Sequence, residues 1–293
     1  MSSVLYDAQG PRAKRRNVLY TVVFLLAVVA LGWWVFRALN DKGQLDWEKW
    51  KPFFGSEAWT TYILPGLQNT LTAAFLSVLI ALPLGAVLGI ARLSDHVWIR
   101  VPAGVIVEFF RAIPVLILMI FGLALFAQYT DVNSDDRPLY AVVTGLVLYN
   151  ASVLAEVLRA GILALPKGQT EAAQAIGLRK TQIMTSILLP QAVTAMLPAI
   201  VSQLVVIVKD TALGGAVLTF PDLLAAVSPM SSYYGANTIA SFTVVALIFV
   251  LVNFALTSFA SWLERRLRTR RKSTGTVLPP AAVGGTDSTG TAA

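Results

Sequence analysis

Apolar residues along this chain come in long runs, with few polar positions inside them, rather than in alternation or on one helical face. The runs cover 18–39, 70–91, 105–129, 139–163, 194–218 and 238–262. Each is long enough, at about 1.5 Å of helix per residue, to cross a hydrocarbon core of about 30 Å. The pattern predicts an all-α integral membrane protein with about six transmembrane helices. The first run follows a basic stretch, as a secretory signal would. Its 22 residues exceed a signal's apolar region of about 7 to 15, and no small-residue cleavage pattern follows, so it is read as a retained anchor.

The segments between the runs set the expected orientation. With the N-terminus inside, Arg12, Lys14, Arg15, Arg16, Arg92, Arg100, Arg111, Arg159, Lys167, Arg179, Lys180, Arg265, Arg266, Arg268, Arg270, Arg271 and Lys272 are cytoplasmic. Only Arg37, Lys42, Lys49, Lys51 and Arg137 are then external, with Lys209 inside a span. Cytoplasmic loops retain Lys and Arg, so both termini are expected in the cytoplasm of a multi-pass protein of the cell membrane. The basic stretch 1–17 would precede the anchor. The external segment 40–65 carries Trp47, Trp50, Phe53, Phe54, Trp59 and Tyr62, a composition suited to the membrane interface. The basic tail 264–293 is poor in large apolar residues from Ser273 onward and is expected to be disordered.

Composition narrows the chemistry. Of the 293 residues 56% are hydrophobic and only 13% charged, against roughly 25% charged in soluble domains. There is no cysteine and a single histidine, His96, which excludes a disulfide framework and a thiolate or imidazole metal cluster. The net charge of +7 flanks the apolar runs instead of forming a stripe, so it reads as topology and not as a nucleic-acid surface. No G-x-x-x-x-G-K-[ST] loop occurs, so this chain is expected to bind no nucleotide cofactor of its own by that route.

One connection is too long to be only a connection. Residues 166–190 follow the fourth run, and loops of this length have a function or are disordered. Here Thr170 is placed to cap a short helix over 171–176, Glu171 sits at its positive end, and Gly177 supplies a left-handed stop. A second short helix near 180–189 carries Ile183, Met184, Ile187 and Leu188 at helical spacing before Pro190. A helix, a glycine bend and a second helix presenting apolar side chains below the membrane point to a protein partner.

Glu171, Ala172, Ala173, Gly177, Ile187, Leu189 and Pro190 fit EAA-x3-G-x9-I-x-LP, the signature of permease subunits of bacterial binding-protein-dependent ABC importers. The stretches Arg159 to Leu178, Ile187 to Ala192, Val208 to Leu213 and Glu108 to Pro114 resemble the polar amino acid branch, in particular permeases of actinobacterial glutamate importers. The resemblance covers roughly 66–263 and implies a five-helix type I permease core, to which 18–39 adds one helix. It implies that 166–190 docks a cytoplasmic ATPase dimer, which would use the ATP and Mg. It also implies a second permease subunit, copy or homologue, and an extracytoplasmic solute-binding protein that delivers a polar amino acid. This sequence departs from the family where Ala112 and Ile113 replace Gly-Thr before Pro114, where Arg179 replaces a capping Ser or Thr, and where Ala212 replaces a Ser.

Polar residues inside the runs are the candidates for a translocation path. Lys209 and Asp210, followed by Thr211, lie deep in an apolar run, where a lone charge costs at least about 2.5 to 3.5 kcal/mol. One reading sets them at a helix break loosened by Gly214 and Gly215, lining a polar path; the other makes Lys209 a structural or snorkelling charge. Asn150, Ser152, Ser202 and Gln203 can touch solute or bond between helices. Glu156 with Arg159, and Glu108 with Arg111, are three apart on helices and read as gating or packing pairs. Two other classes compete: an ion-gradient-driven secondary transporter using Lys209, Asp210 and Glu156, and a membrane-embedded enzyme. The coupling-type loop opposes the first, and the absence of a catalytic or metal constellation opposes the second.

Overall fold

The computed structural model describes residues 10–272, of which the side chains of 263, 264 and 267–272 are left aside. The expected disorder of the tail from Ser273 lies outside the described residues.

The described chain is helical. Pro11, with its φ already fixed for a helix, opens α1 (Pro11–Asp41) at the first turn. No residue of α1 is fully buried, and Trp33 and Trp34 are both exposed. Short turns follow: α2 (Trp47–Trp50), a 3-10 turn (Lys51–Phe54), α3 (Ser56–Ala58) and a π turn (Trp59–Ile63). The π turn leads without a stop into α4 (Leu64–Ala91), so the apolar helix runs from Ser56 to Ala91. Then come α5 (Val97–Ala112), α6 (Val115–Tyr129), α7 (Arg137–Leu163), α8 (Lys167–Ala175) and α9 (Lys180–Ile183). A π turn (Met184–Leu188), α10 (Leu189–Val217), α11 (Val227–Tyr233) and α12 (Thr238–Lys272) complete the order.

Among the described residues five helices are long and apolar enough to cross a membrane, and α5 with α6 makes a sixth only as a broken pair. This corrects the continuous third span expected over 105–129, since α5 and α6 meet at a 100° bend. Pro114 offers no N–H and disfavours helical geometry in the residue before it, and Ile113 is extended, with φ −90° and ψ 130°.

Contacts divide the described residues into two compact units. One consists of 10–75, 119–143 and 210–251, the other of 76–118, 144–209 and 252–272. In the first, Leu218, Phe220, Leu223, Val227 and Met230 are buried, and the turn between α10 and α11 is held by α4. The Leu223 N–H donates to Thr70 Oγ1 at 3.0 Å and Asn69 Nδ2 donates to the Pro221 carbonyl at 2.9 Å. In the second unit α4 packs on α7 through small residues. A Cβ on Gly85 would stand 2.8 Å from the Ala151 carbonyl oxygen, and one on Gly89 would stand 2.8 Å from that of Ala155. Two glycines and two alanines, each pair one turn apart, bring the backbones together where apolar burial gives no drive because lipid is equally apolar.

Candidate functional site

Segment 166–190 belongs entirely to the second unit. α8 begins at Lys167, directly after Pro166, so Thr170 lies inside the helix and caps nothing, and Glu171 sits in its second turn rather than at its positive end. Pro166 is non-helical, with ψ 127°, and stands as the N-cap, which sets the start four residues before the one the capping pattern suggested. The other end is as the glycine signals. Gly177 has φ +82°, its N–H donates to the Gln174 carbonyl at 2.9 Å, and the Leu178 N–H donates to that of Ala173 at 3.1 Å. These two bonds form a Schellman stop. At the N-terminus of α9 the Arg179 N–H donates to Gln182 Oε1 at 2.9 Å, the reciprocal half of a capping box, which satisfies the N-cap's own N–H where no Ser or Thr stands.

The second helix does not stop at Pro190 as expected. α9, the π turn and α10 form one helical stretch, Lys180–Val217. The wider π turn brings Pro190 in just after its end, and the Ile187 carbonyl accepts Gln191 Nε2 at 2.9 Å. Nor does this helix offer the apolar surface read from Ile183, Met184, Ile187 and Leu188. Ile183 is buried, and Met184, Leu188 and Leu189 pack with Ile90 and Leu93 of the α4 end against Leu158, Ile162 and Ala192. The open face is instead on and just beyond α8: Glu171, Ala172 and Ile176 are exposed, Ile176 by 76%.

Two groups of polar contacts surround this segment. Lys180 Nζ bonds Asp95 Oδ1 and donates to the Leu93 carbonyl at 3.3 Å, and the ammonium holds the exposed Asp95 carboxyl below the usual carboxylate range. Arg92 bonds Glu156 at 2.5 Å and Glu108 at 2.9 Å. Glu156 pairs with Arg159 at 3.1 Å, and Arg111 approaches Glu108 at 3.9 Å. The two helical pairs read from spacing are therefore arms of one network, whose centre, Arg92, the sequence reading missed. Arg92 lies 64 positions from Glu156, and no local pattern signals a partner at that distance.

Of the other polar candidates, Asn150 is buried, donates to the Leu146 carbonyl at 2.7 Å and accepts from Gln203 Nε2, which joins α7 to α10. Ser152 and Ser202 return their hydroxyls to the Leu148 and Pro198 carbonyls of their own helices, both at 2.9 Å. Lys209 is exposed, Asp210 half-buried and Thr211 buried, all within continuous α10. No helix break exists at Gly214 and Gly215. Those glycines serve close packing: a Cβ on Gly214 would stand 2.4 Å from Val142 Cγ2, and one on Gly215 would stand 1.7 Å from Asp222 Oδ1.

Asp222, between α10 and α11, was not singled out from the sequence. It is 1% exposed; its Oδ1 accepts the Ala225 N–H at 2.8 Å, and its buried Oδ2 has no hydrogen-bond partner among the described residues. Burial pushes its carboxyl up to about 6. A raised acid favours this arrangement while protonated. The cost of ionisation is absent below about pH 4, grows toward pH 6 and levels off above it, at roughly 3 kcal/mol. The thermal midpoint of Asp222→Asn, relative to the unmodified protein in detergent, is expected to rise between pH 4 and pH 6 and then stay level. A difference independent of pH speaks against a buried ionisable group.

Comparison with known proteins adds the remaining observations. The family profile described as binding-protein-dependent transport system inner membrane component matches residues 81–269. A glutamate transport system permease protein, GluD, of Corynebacterium glutamicum is 51% identical over 233 residues, covering 80% of this chain and 85% of that one. BztC of Rhodobacter capsulatus, a glutamate/glutamine/aspartate/asparagine transport system permease protein, is 32% identical over 69% of this chain, and the match spans 47% of that longer protein. Among solved structures, an amino acid ABC transporter with histidines superposes with a TM-score of 0.62 at 27% identity, covering 71% of this chain and 95% of the other.

Proposed function

We propose a function on a plain premise: this chain belongs to the binding-protein-dependent transport system inner membrane components. It is a multi-pass membrane permease of the amino-acid ABC importer type. In our reading it carries glutamate or a closely similar acidic amino acid inward. It works with a second permease subunit, a cytoplasmic ATPase dimer that uses the ATP and Mg, and an extracytoplasmic solute-binding protein, and both termini are cytoplasmic.

The observation that carries this reading is the shape of 166–190: two helices set at a fixed angle by the Gly177 stop, with Glu171, Ala172 and Ile176 open beside it. An exposed isoleucine beside a rigid bend, among charged residues, suits a groove on another protein. The 51% identity to a glutamate permease supports the choice of solute. In this reading Asn150, Gln203, Glu156 and Lys209 border the solute's route, Asp210 and Thr211 follow Lys209 on α10, and Ser202 serves its helix.

The test is uptake of labelled L-glutamate into proteoliposomes holding the complex, with ATP enclosed and the binding protein outside. Uptake is expected to require both, and unlabelled glutamate is expected to compete far better than leucine. Uptake driven by a sodium or proton gradient without ATP establishes the secondary transporter instead. Reporter fusions after Arg271 and within 166–190 are expected to read cytoplasmic, and those within 41–65 external.

A further inference from the structure

Arg92 stands one residue past the end of α4, its side chain only 12% exposed, and reaches two other helices. It holds Glu108 of α5 at 2.9 Å and Glu156 of α7 at 2.5 Å. A guanidinium is suited to this, because its planar array of donors can serve two carboxylates where an ammonium acts as a point charge. Just beyond Arg92 in the chain, the Leu93 carbonyl and the Asp95 carboxylate receive Lys180 of the coupling segment. The Leu93 side chain joins the cluster that includes Met184, Leu188 and Leu189 of that segment and Leu158 and Ile162 of α7.

The end of α4, the end of α7 and the segment are thus held together by apolar packing. α5 contributes no residue to that cluster among the described residues. α5 buries Ala103 and Val107, but helical continuity with α6 does not steady it, since a 100° bend separates the two. Its described ion-pair connection to the cluster's elements runs from Glu108 through Arg92.

We propose that Arg92 is the positioning residue that makes α5 follow the coupling segment, with Glu108 as its hold on α5 and the Lys180–Asp95 pair fixing the turn from which Arg92 reaches. The inference rests on reading 166–190 as the ATPase-docking segment. When an ATPase moves that segment, Leu93 and Asp95 move with it, Arg92 follows, and α5 is carried along rather than left behind. The Lys180–Asp95 pair is exposed and adds little stability by itself. Its part is to keep the turn in register.

The chain has no cysteine, so single probes can be placed freely. Spin labels at Trp98→Cys on α5 and Ser186→Cys in the segment, both exposed positions, report whether the two move together. The complex with its ATPase is measured before and after trapping with ATP and vanadate. With Arg92 and Glu108 intact, the 98–186 separation is expected to stay constant. With Glu108→Gln, or with Arg92→Met, it is expected to change on trapping, and transport per ATP to fall roughly threefold to tenfold, the range in which residues linking two sites shift an equilibrium. Glu108 is 61% exposed, so its glutamine variant tests the link even if Arg92→Met fails to assemble. A separation that stays constant in Glu108→Gln, whatever happens to thermal stability, overturns the proposal and leaves the docking reading standing. Failure of any ATPase to co-purify with the unmodified chain overturns both.

Discussion

Replacing Gly177 by aspartate is expected to cut uptake at least tenfold while leaving the protein inserted in the membrane. At φ +82° the residue sits where side chains are seldom tolerated, and a residue other than glycine there costs roughly 1 kcal/mol or more. A new carboxylate at a helix C-terminus adds about 0.3 to 1 kcal/mol of repulsion from the unpaired carbonyls. Among the described residues nothing lies within 4 Å of a Cβ at that position, so the cost is one of conformation and charge, and the spans are untouched. Both penalties act on the angle between α8 and α9, which the docked partner must meet. Asparagine tolerates the left-handed region and carries no charge, so Gly177→Asn is expected to fall between the two. Glu171→Ala is expected to be milder still, since Glu171 is exposed in the second turn of α8 and caps no helix end. Membrane abundance, co-purified ATPase and glutamate uptake measured side by side decide the matter. Undiminished uptake in the aspartate variant removes the coupling role from this segment.

Gly89→Val is expected to act at the opposite level, by depleting folded protein from the membrane. Its Cβ would stand 2.8 Å from the Ala155 carbonyl oxygen and 3.3 Å from the Ala155 Cα, and neither backbone atom can swing aside as a side chain can. Overpacking of this kind costs about 1 to 3 kcal/mol. Gly85→Val adds to it one turn away, where a Cβ meets the Ala151 carbonyl oxygen and Leu154 Cβ, both at 2.8 Å. Gly104, on α5, is the control: nothing lies within 4 Å of a Cβ there, so Gly104→Ala is expected to be neutral or to stabilise the helix by up to about 1 kcal/mol. Membrane abundance and the thermal midpoint in detergent are the measurements. Equal abundance of Gly89→Val and Gly104→Ala is the result that rules out close α4–α7 packing as the reason for glycine.

Both sites show what could be read ahead of the structure. Gly177 was legible because a helix stop is local: a few consecutive residues decide it, and the Schellman bonds join Gln174 to Gly177 and Ala173 to Leu178. Gly85 and Gly89 passed unnoticed inside an apolar run, because their meaning depends on Ala151 and Ala155, more than sixty positions away. Gly214 and Gly215 were misread for the same reason. Their sequence permits a loosened helix as readily as a close approach to Val142 and Asp222, and only the neighbours distinguish the two.

What the sequence determined by itself is whatever one helix decides alone. That covers the membrane as solvent, the approximate place of most of the long apolar helices, and the helix–glycine–helix at 166–190. Apolar length, lysine and arginine placement and glycine stops need no tertiary partner to act. The tertiary structure alone decided which faces those helices turn toward one another. It put Ile183 inside and left Ile176 outside, joined two helical ion pairs through Arg92 into one network, and enclosed the carboxyl of Asp222. The physical reason is that lipid chains are as apolar as leucine, so hydrophobicity marks a residue as belonging in the membrane without telling it which neighbour to meet. That choice falls to small residues, hydrogen bonds and charges, and their partners lie far away in the chain.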